Sequence, residues 1–142
     1  MKIYLDTCCF NRPYDDQNQI KIELETLAKL SIQKEILEEK YDLIWSYIIN
    51  YENSENPFNE RKENIGEWEA IAKKYVPFSE ESLAKGKEIE LIGIKQKDAL
   101  HIACAIIENC DYFITCDNGI LNKDIDEIKV INPIDFIKLE LR

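Results

Sequence analysis

Short runs of β-branched and aromatic residues alternate along this chain with longer stretches in which apolar residues recur every three or four positions. Lys2-Ile3-Tyr4-Leu5, Asp42-Leu43-Ile44-Trp45, Tyr112-Phe113-Ile114-Thr115 and Lys129-Val130-Ile131 read as strands, and Tyr75-Val76-Pro77 as a brief further one. From Gln17 to Lys40 the residues Ile20, Leu24, Leu27, Leu30 and Leu37 stand at helical spacing with charge between them, which predicts one long helix or two broken near Ser31. Ser46 is placed to cap a short helix that Asn53 to Pro57 ends. A helix is expected from about Phe58 to Lys74, with Ile65, Trp68, Ile71 and Ala72 inward, and another from Ser79 to Leu91, broken at Gly93. Ser79 and Ser82 give that second helix a capping-type start without the reciprocal Glu. An alanine-rich helix spans Lys97 to Asn109, and Asn132-Pro133 opens a short final one. Asn11 to Asp16 carries turn chemistry.

Helices separate the strands, so the sheet should be parallel and covered on both faces. The expected architecture is a three-layer α/β/α sandwich with about five central strands. At 142 residues the chain is expected to form one domain, residues 1–142, long enough for a real core. The sequence shows no internal repeat and no linker.

Composition narrows the picture. A 45% hydrophobic content with four glycines and four prolines fits a helix-rich globular protein. No apolar run approaches the ~18 residues of a membrane span, and the first residues lack the apolar stretch of a signal peptide, so a cytoplasmic location is expected with no membrane partner. Five cysteines, an odd number with no Cys-x-x-Cys pair, argue against a disulfide framework and a structural zinc site. The proposed fold brings Cys8 and Cys9 near Cys116, beside an acidic cluster. They read as small buried hydrophobic residues, with a redox role as the alternative.

Four acidic residues stand at element boundaries. Asp6 closes the first strand and Asp117 closes Phe113-Ile114-Thr115; Asp98 starts the alanine-rich helix; Glu52 lies on the short helix after Trp45. Aspartates just past strand ends gather on one rim of an open α/β sheet, where such folds bind ligands. Carboxylates crowded at one point repel unless protons or cations intervene, and their hard oxygens suit Mg²⁺ or Mn²⁺. Each has a plainer explanation: Asp6 as a loop cap, Asp117 as part of the Asn118-Gly119 turn, Asp98 as a first-turn dipole contact. Glu52 shares the face of Ile48 and Ile49, which favours it over its neighbour Glu55. Thr7 and Thr115 are placed to hold carboxylates by hydrogen bonds. His101, the only histidine, follows Asp98 by three positions on one helix face, where it would orient Asp98 or meet substrate.

The gathered carboxylates indicate metal-dependent phosphodiester hydrolysis by a nuclease, and the absence of a nucleophile elbow, Walker loop, dinucleotide fingerprint or His-Glu-x-x-His gives rival chemistries such as acyl transfer no support. The net charge of −10 opposes nucleic-acid binding, but two divalent ions would offset about four charges at the site, and Arg12, Lys95 and Lys97 flank two of the aspartates as candidate phosphate contacts.

Taken in order, Leu5-Asp6-Thr7, Ser46 to Glu52, Asp98-Ala99-Leu100-His101-Ile102-Ala103 and Thr115-Cys116-Asp117 resemble the PIN domain. The chain is similar to the small single-domain prokaryotic members, which include VapC-type toxins of toxin–antitoxin pairs. The resemblance implies a parallel five-stranded sheet and a Mg²⁺- or Mn²⁺-dependent endonuclease acting on single-stranded RNA. It gives Asp6, Glu52, Asp98 and Asp117 as catalytic and metal-binding residues, with Thr7, Thr115 and His101 in support. It also implies an RNA substrate, an antitoxin protein and a homodimer as partners. The stretch from Cys8 to Pro13 departs from the commonest toxin form. The alternatives are a catalytically silent PIN-fold scaffold and a phosphoryl-transfer enzyme for small molecules.

Overall fold

The computed structural model describes residues 1–141. Five parallel strands form one sheet: β1 (Lys2–Leu5), β2 (Asp42–Ser46), β3 (Lys74–Val76), β4 (Tyr112–Ile114) and β5 (Lys129–Ile131), in the spatial order β3-β2-β1-β4-β5. Eight helices flank it: α1 (Thr7–Asn11), α2 (Ile20–Leu37), α3 (Tyr47–Ser54), α4 (Asn59–Ile71), α5 (Glu80–Glu90), α6 (Gln96–Ile107), α7 (Asn118–Leu121) and α8 (Pro133–Glu140). The order follows from the sequence. β1, β2 and β4 are apolar throughout their middles, as strands covered on both faces must be, and Ile3, Tyr4, Leu5, Leu43, Ile44, Trp45, Phe113 and Ile114 have no exposed surface. Each such side chain contributes about 1.5–3 kcal/mol by leaving water.

Tyr4 lies in register with Ile44 on one side and Phe113 on the other. The chain builds outward from β1 to β2 and β3, then returns to the other side of β1 for β4 and β5. The reversal therefore falls between β1 and β4, and a crevice opens beyond the carboxyl ends of the strands at such a point. Asp6 stands there: its N–H still donates to Ile114 O at 2.9 Å, and the chain then turns into α1.

Several local features differ from the sequence expectation, among them α1, which forms where no helix is expected, and α7, which forms where a tight turn is expected. The helix expected to run to Lys74 ends at Ile71, because Lys73 N–H donates to Leu43 O and draws the chain into β3, where pairing with β2 outweighs one more helical turn. The Ser79 cap is reciprocal after all, with the Ser82 hydroxyl in the place of the expected Glu and accepting from Ser79 N–H. Gly93 is the expected break after α5, with φ at +93°, a conformation that costs glycine nothing.

The largest difference lies in α2. It is one unbroken helix, but Ile20, Leu24, Leu27, Leu30 and Leu37 are all 47–75% exposed. The helix packs against the core through Ala28, Ile32 and Ile36, and buries Glu25, Thr26, Lys29 and Gln33 with them. Two of these polar residues find partners, while the buried Thr26 hydroxyl has none among the described residues: Glu25 accepts hydrogen bonds from Arg12 Nε at 2.9 Å and from Asn132 Nδ2, and Lys29 Nζ lies 5.8 Å from the Phe10 ring centre. Leu24 and Leu27 instead join Ile134 and Ile137 of α8 in an apolar surface groove of about 270 Å³.

Candidate active site

Asp6 is the centre of the rim. Its backbone is extended as the cap of α1, and Oδ1 accepts from Thr7 N–H at 2.8 Å. Oδ2 accepts from the Thr115 hydroxyl at 2.8 Å and from the Cys8 thiol at 3.4 Å. Only 4% of Asp6 is exposed, and burial, reinforced by the neighbouring Cys8, pushes its carboxyl up to about 8. Hydrogen bonds thus orient the group without offsetting the loss of water around its charge.

Thr115 links the two strand-end aspartates. The hydroxyl that donates to Asp6 accepts from Asp117 N–H at 3.0 Å. Asp117 also caps α7, with Oδ1 accepting from Gly119 N–H at 2.7 Å. The capping roles expected of Asp6 and Asp117 as plain alternatives are therefore real, and they do not compete with convergence. Asp98, in the first turn of α6, is half-buried; its carboxyl is pushed up to about 6, first by burial and then by the charges of Asp6 and Asp117. Three carboxylates share one field. Asp98 and Asp117 line a small cleft of about 120 Å³ together with Lys95.

Glu52 reaches the same place from α3. Oε1 accepts from the Thr7 hydroxyl at 2.8 Å and pairs with His101 Nε2. Burial alone would raise this carboxyl, but the His101 and Thr7 contacts, with Lys97 nearby, hold it below the usual range. Glu55, its competitor, is exposed. Thr7 therefore offers its hydroxyl to Glu52 and its N–H to Asp6, while Thr115 serves Asp6 from the opposite strand.

His101 is fully buried, and its ring nitrogens engage Tyr4 and Glu52: Nδ1 lies 2.6 Å from Tyr4 OH, which in turn lies 2.5 Å from Ser46 Oγ. Nε2 also lies 3.7 Å from Asp6 Oδ1. Burial would lower the imidazole, but the pairing with Glu52 and the charge of Asp6 more than reverse this and raise it. A chain of contacts thus runs under the rim from Ser46 through Tyr4 and His101 to Glu52. Replacing His101 by Ala takes one of two partners from Tyr4 OH, which keeps Ser46, and one from Glu52, which keeps Thr7, and leaves a cavity; a loss of about 1–3 kcal/mol in urea-melt stability is expected.

The basic residues divide. Lys95 borders the Asp98 cleft, and Lys97 Nζ lies 5.1 Å from the Tyr51 ring on α3. The Arg12 guanidinium is engaged by the buried Glu25 and by Asp15 at 3.0 Å, so it braces the α1–α2 junction. A feature that carries no sequence signal lies on the other side of Glu52. A cleft of about 270 Å³ is lined by Tyr14, Glu52, Glu55, Phe58 and Arg61. The Arg61 guanidinium stacks 3.9 Å from the Phe58 ring and 4.9 Å from that of Tyr14. Phe58 and Arg61 are an i,i+3 pair at the start of α4, and the fold brings Tyr14 to them from the segment after α1.

Among the described residues, Asp6, Glu52 and His101 form one group with ligand atoms within 4.8 Å of one another, and Cys8, Cys9 and Cys116 form another. Asp98 and Asp117 stand outside that first group, and with Asp6 and Glu52 they supply the hard, like-charged oxygens that fit Mg²⁺ or Mn²⁺. The PIN domain family model matches residues 3–126. Among solved structures, FitAcB from Neisseria gonorrhoeae superposes with a TM-score of 0.60 at 18% identity, over 92% of this chain and 97% of that one. VapBC2 from Rickettsia felis, bound to a DNA fragment from its promoter, gives 0.58 at 18% identity over 93% and 98%. DNA-bound VapBC from Salmonella typhimurium gives 0.54 at 14% over 94% and 98%. No curated protein matches by sequence.

Proposed function

The chain belongs to the PIN domain family, and from that premise we propose that it is a metal-dependent endoribonuclease that cleaves single-stranded RNA, as the toxin of a toxin–antitoxin pair. The observation that carries this reading is the gathering at one rim of Asp6, buried and pushed up to about 8 chiefly by loss of water, with Asp98, which the charges of Asp6, Asp117 and Glu52 push up further. A scaffold has no use for carboxylates that disfavour one another's charge, whereas a bound cation offsets that cost.

Asp6, Asp98 and Asp117 are the residues proposed to hold Mg²⁺ or Mn²⁺, with Glu52 beside them. When bound, such an ion lowers the pKa of a water and stabilises the charge that develops on phosphate. The protein supplies orientation. Thr115 fixes Asp6, and Thr7 with His101 fixes Glu52, which faces the cleft and is assigned to align the attacking water. The pairing with His101 keeps Glu52 ionised, so that it can accept a hydrogen bond from a water and hold it in line.

Lys95 and Lys97 are assigned to phosphate, and Arg61 with Phe58 and Tyr14 to an unstacked base. Stacking on such a platform is worth about 1–3 kcal/mol per base, so Arg61→Ala is expected to raise KM for RNA roughly tenfold with little change in kcat. Equal kcat/KM for wild type and variant would remove the platform from the substrate path. The exposed leucines of α2 support a protein partner, an antitoxin or a second copy. The free cysteines agree with a reducing cytoplasm.

The test is cleavage of a mixed-sequence single-stranded RNA with Mn²⁺, Mg²⁺ or EDTA. Cleavage that requires metal supports the proposal. Absence of both cleavage and metal binding would favour the scaffold.

A further inference from the structure

Next to the carboxylates lies a second cluster that the hydrolytic reading does not use. Cys8 and Cys9 follow Asp6 on α1, and Cys116 sits between β4 and α7. Their three sulfurs all lie within 4.8 Å of one another, and Cys9 Sγ is 3.8 Å from Cys116 Sγ. We propose that Cys8, Cys9 and Cys116 form a separate site for one thiophilic d¹⁰ cation, such as Zn²⁺ or Cu⁺.

The spacing carries the argument. Three sulfurs around an ion at about 2.3 Å lie roughly 3.8–4.0 Å apart, so the Cys9–Cys116 distance already equals the edge of such a site. A redox pair needs two sulfurs; the third, from Cys8, converges on the same point. Cys9 and Cys116 are buried, while Cys8 is partly exposed and gives an ion its way in. The Cys116 N–H donates to Cys8 Sγ at 3.3 Å, the kind of backbone donor that supports a metal-bound thiolate.

Ligand chemistry keeps the two sites apart. Sulfur selects soft ions, and the rim oxygens select hard ones. Binding exchanges up to three thiol protons for the cation, released to the buffer, and needs no oxidant. Asp6 is shared in one respect: Cys8 donates its S–H to Asp6 Oδ2, so a metal on Cys8 removes a hydrogen bond from the neighbouring carboxylate. The thiol site stands on its own geometry whether or not the rim cleaves RNA.

The test is an anaerobic titration of the reduced protein with Cd²⁺, followed by the sulfur-to-cadmium charge-transfer band. Saturation at one equivalent is expected. Cys8→Ser and Cys116→Ser should each lower the amplitude and weaken binding, by about tenfold to a hundredfold. Asp6→Asn, which removes the rim's central carboxylate, should retain the band, as should Cys110→Ser. Cys8 is partly exposed, so its serine variant keeps the test valid if Cys116→Ser misfolds by circular dichroism. A wild-type band that survives unchanged in Cys8→Ser overturns the proposal. So does the absence of any band, including the case in which mass spectrometry finds Cys9 and Cys116 joined as a disulfide.

Discussion

Asp6→Asn is expected to lower metal-dependent RNA cleavage by about a thousandfold or more, the scale reached when one group stabilising transition-state charge is removed. The substitution is chosen for its shape. Asn keeps one oxygen that can accept from Thr7 N–H as Oδ1 does, while its amide NH2 takes the place of Oδ2, so the Thr115 hydroxyl must turn to accept. It removes the charge and one acceptor with almost no change of shape. The variant should fold, and at pH 8 without metal it should melt at or above the wild-type Tm, because the disfavoured buried carboxylate is gone. Activity and stability therefore move in opposite directions. Near-wild-type cleavage by Asp6→Asn would sink the assignment of Asp6, whatever its thermal behaviour.

Metal-free protein is expected to lose stability as the pH rises from about 4 to about 8, and Mn²⁺ should restore it most at the upper end. The sign follows from the protons bound in each state. The Asp6 carboxyl, raised to about 8 in the folded chain, holds a proton there that the unfolded chain has already released. Its contribution is complete below the ordinary carboxylate value and is lost as pH climbs through the folded value. Asp98, raised to about 6, acts in the same direction over the lower part of the window, and the raised His101 imidazole over the upper part. Glu52, held low, loses its contribution only as pH falls through its own depressed value, outside this window. A cation among the carboxylates reverses the penalty. At a hundredfold excess over Kd it adds about 2.7 kcal/mol, on the order of 10 °C in Tm for a chain of this size. Calorimetry at pH 5 and pH 8, with Mn²⁺ and with EDTA, checks this. An Mn²⁺ effect equal at both pH values would show that the ion binds away from these groups.

The scaffold reading and the nuclease reading separate on the same measurements. A scaffold with three crowded aspartates still shows the pH dependence, but neither an activity for Asp6→Asn to lose nor a KM for Arg61→Ala to raise. The net charge of −10 also becomes less of an obstacle. At the rim itself, Lys95, Lys97 and Arg61 stand around the carboxylates, so the local field that a phosphate meets differs from the average over the surface.

Much of this protein was legible in the order of its residues. A strand covered on both faces must be apolar and must stop at its open end, so Leu5-Asp6-Thr7 and Ile114 to Asp117 announced both the parallel sheet and its acidic rim. Ser46 as a cap, Gly93 as a break and Asn132-Pro133 as a helix start are local signals, and local chemistry decides them. Glu52 over Glu55 followed from helix periodicity alone.

What the chain's order did not disclose depends on which side chains meet across the fold. The periodic leucines of α2 give a regular helical stripe, yet tertiary packing turned that stripe outward. The inner face fitted Ala28, Ile32 and Ile36 against the sheet, and Arg12 and Asn132, remote in sequence, satisfied Glu25 there. Periodicity fixes which residues share a face but not which face finds a partner. His101 follows Asp98 on one helix, but the depth of α6 against β1 set it on Tyr4 and Glu52. Arg61 meets Phe58 within one turn of α4, but it meets Tyr14 only because the fold sets the start of α4 beside the segment after α1. The sequence by itself determined most of the elements, their parallel direction and the acids at their ends, since these depend on neighbours within a few residues. Only the tertiary structure decided the strand order, how those acids are held, which basic side chains stand near them and which apolar stripe stays open, since these depend on contacts between segments that the chain separates by 40 to more than 100 positions.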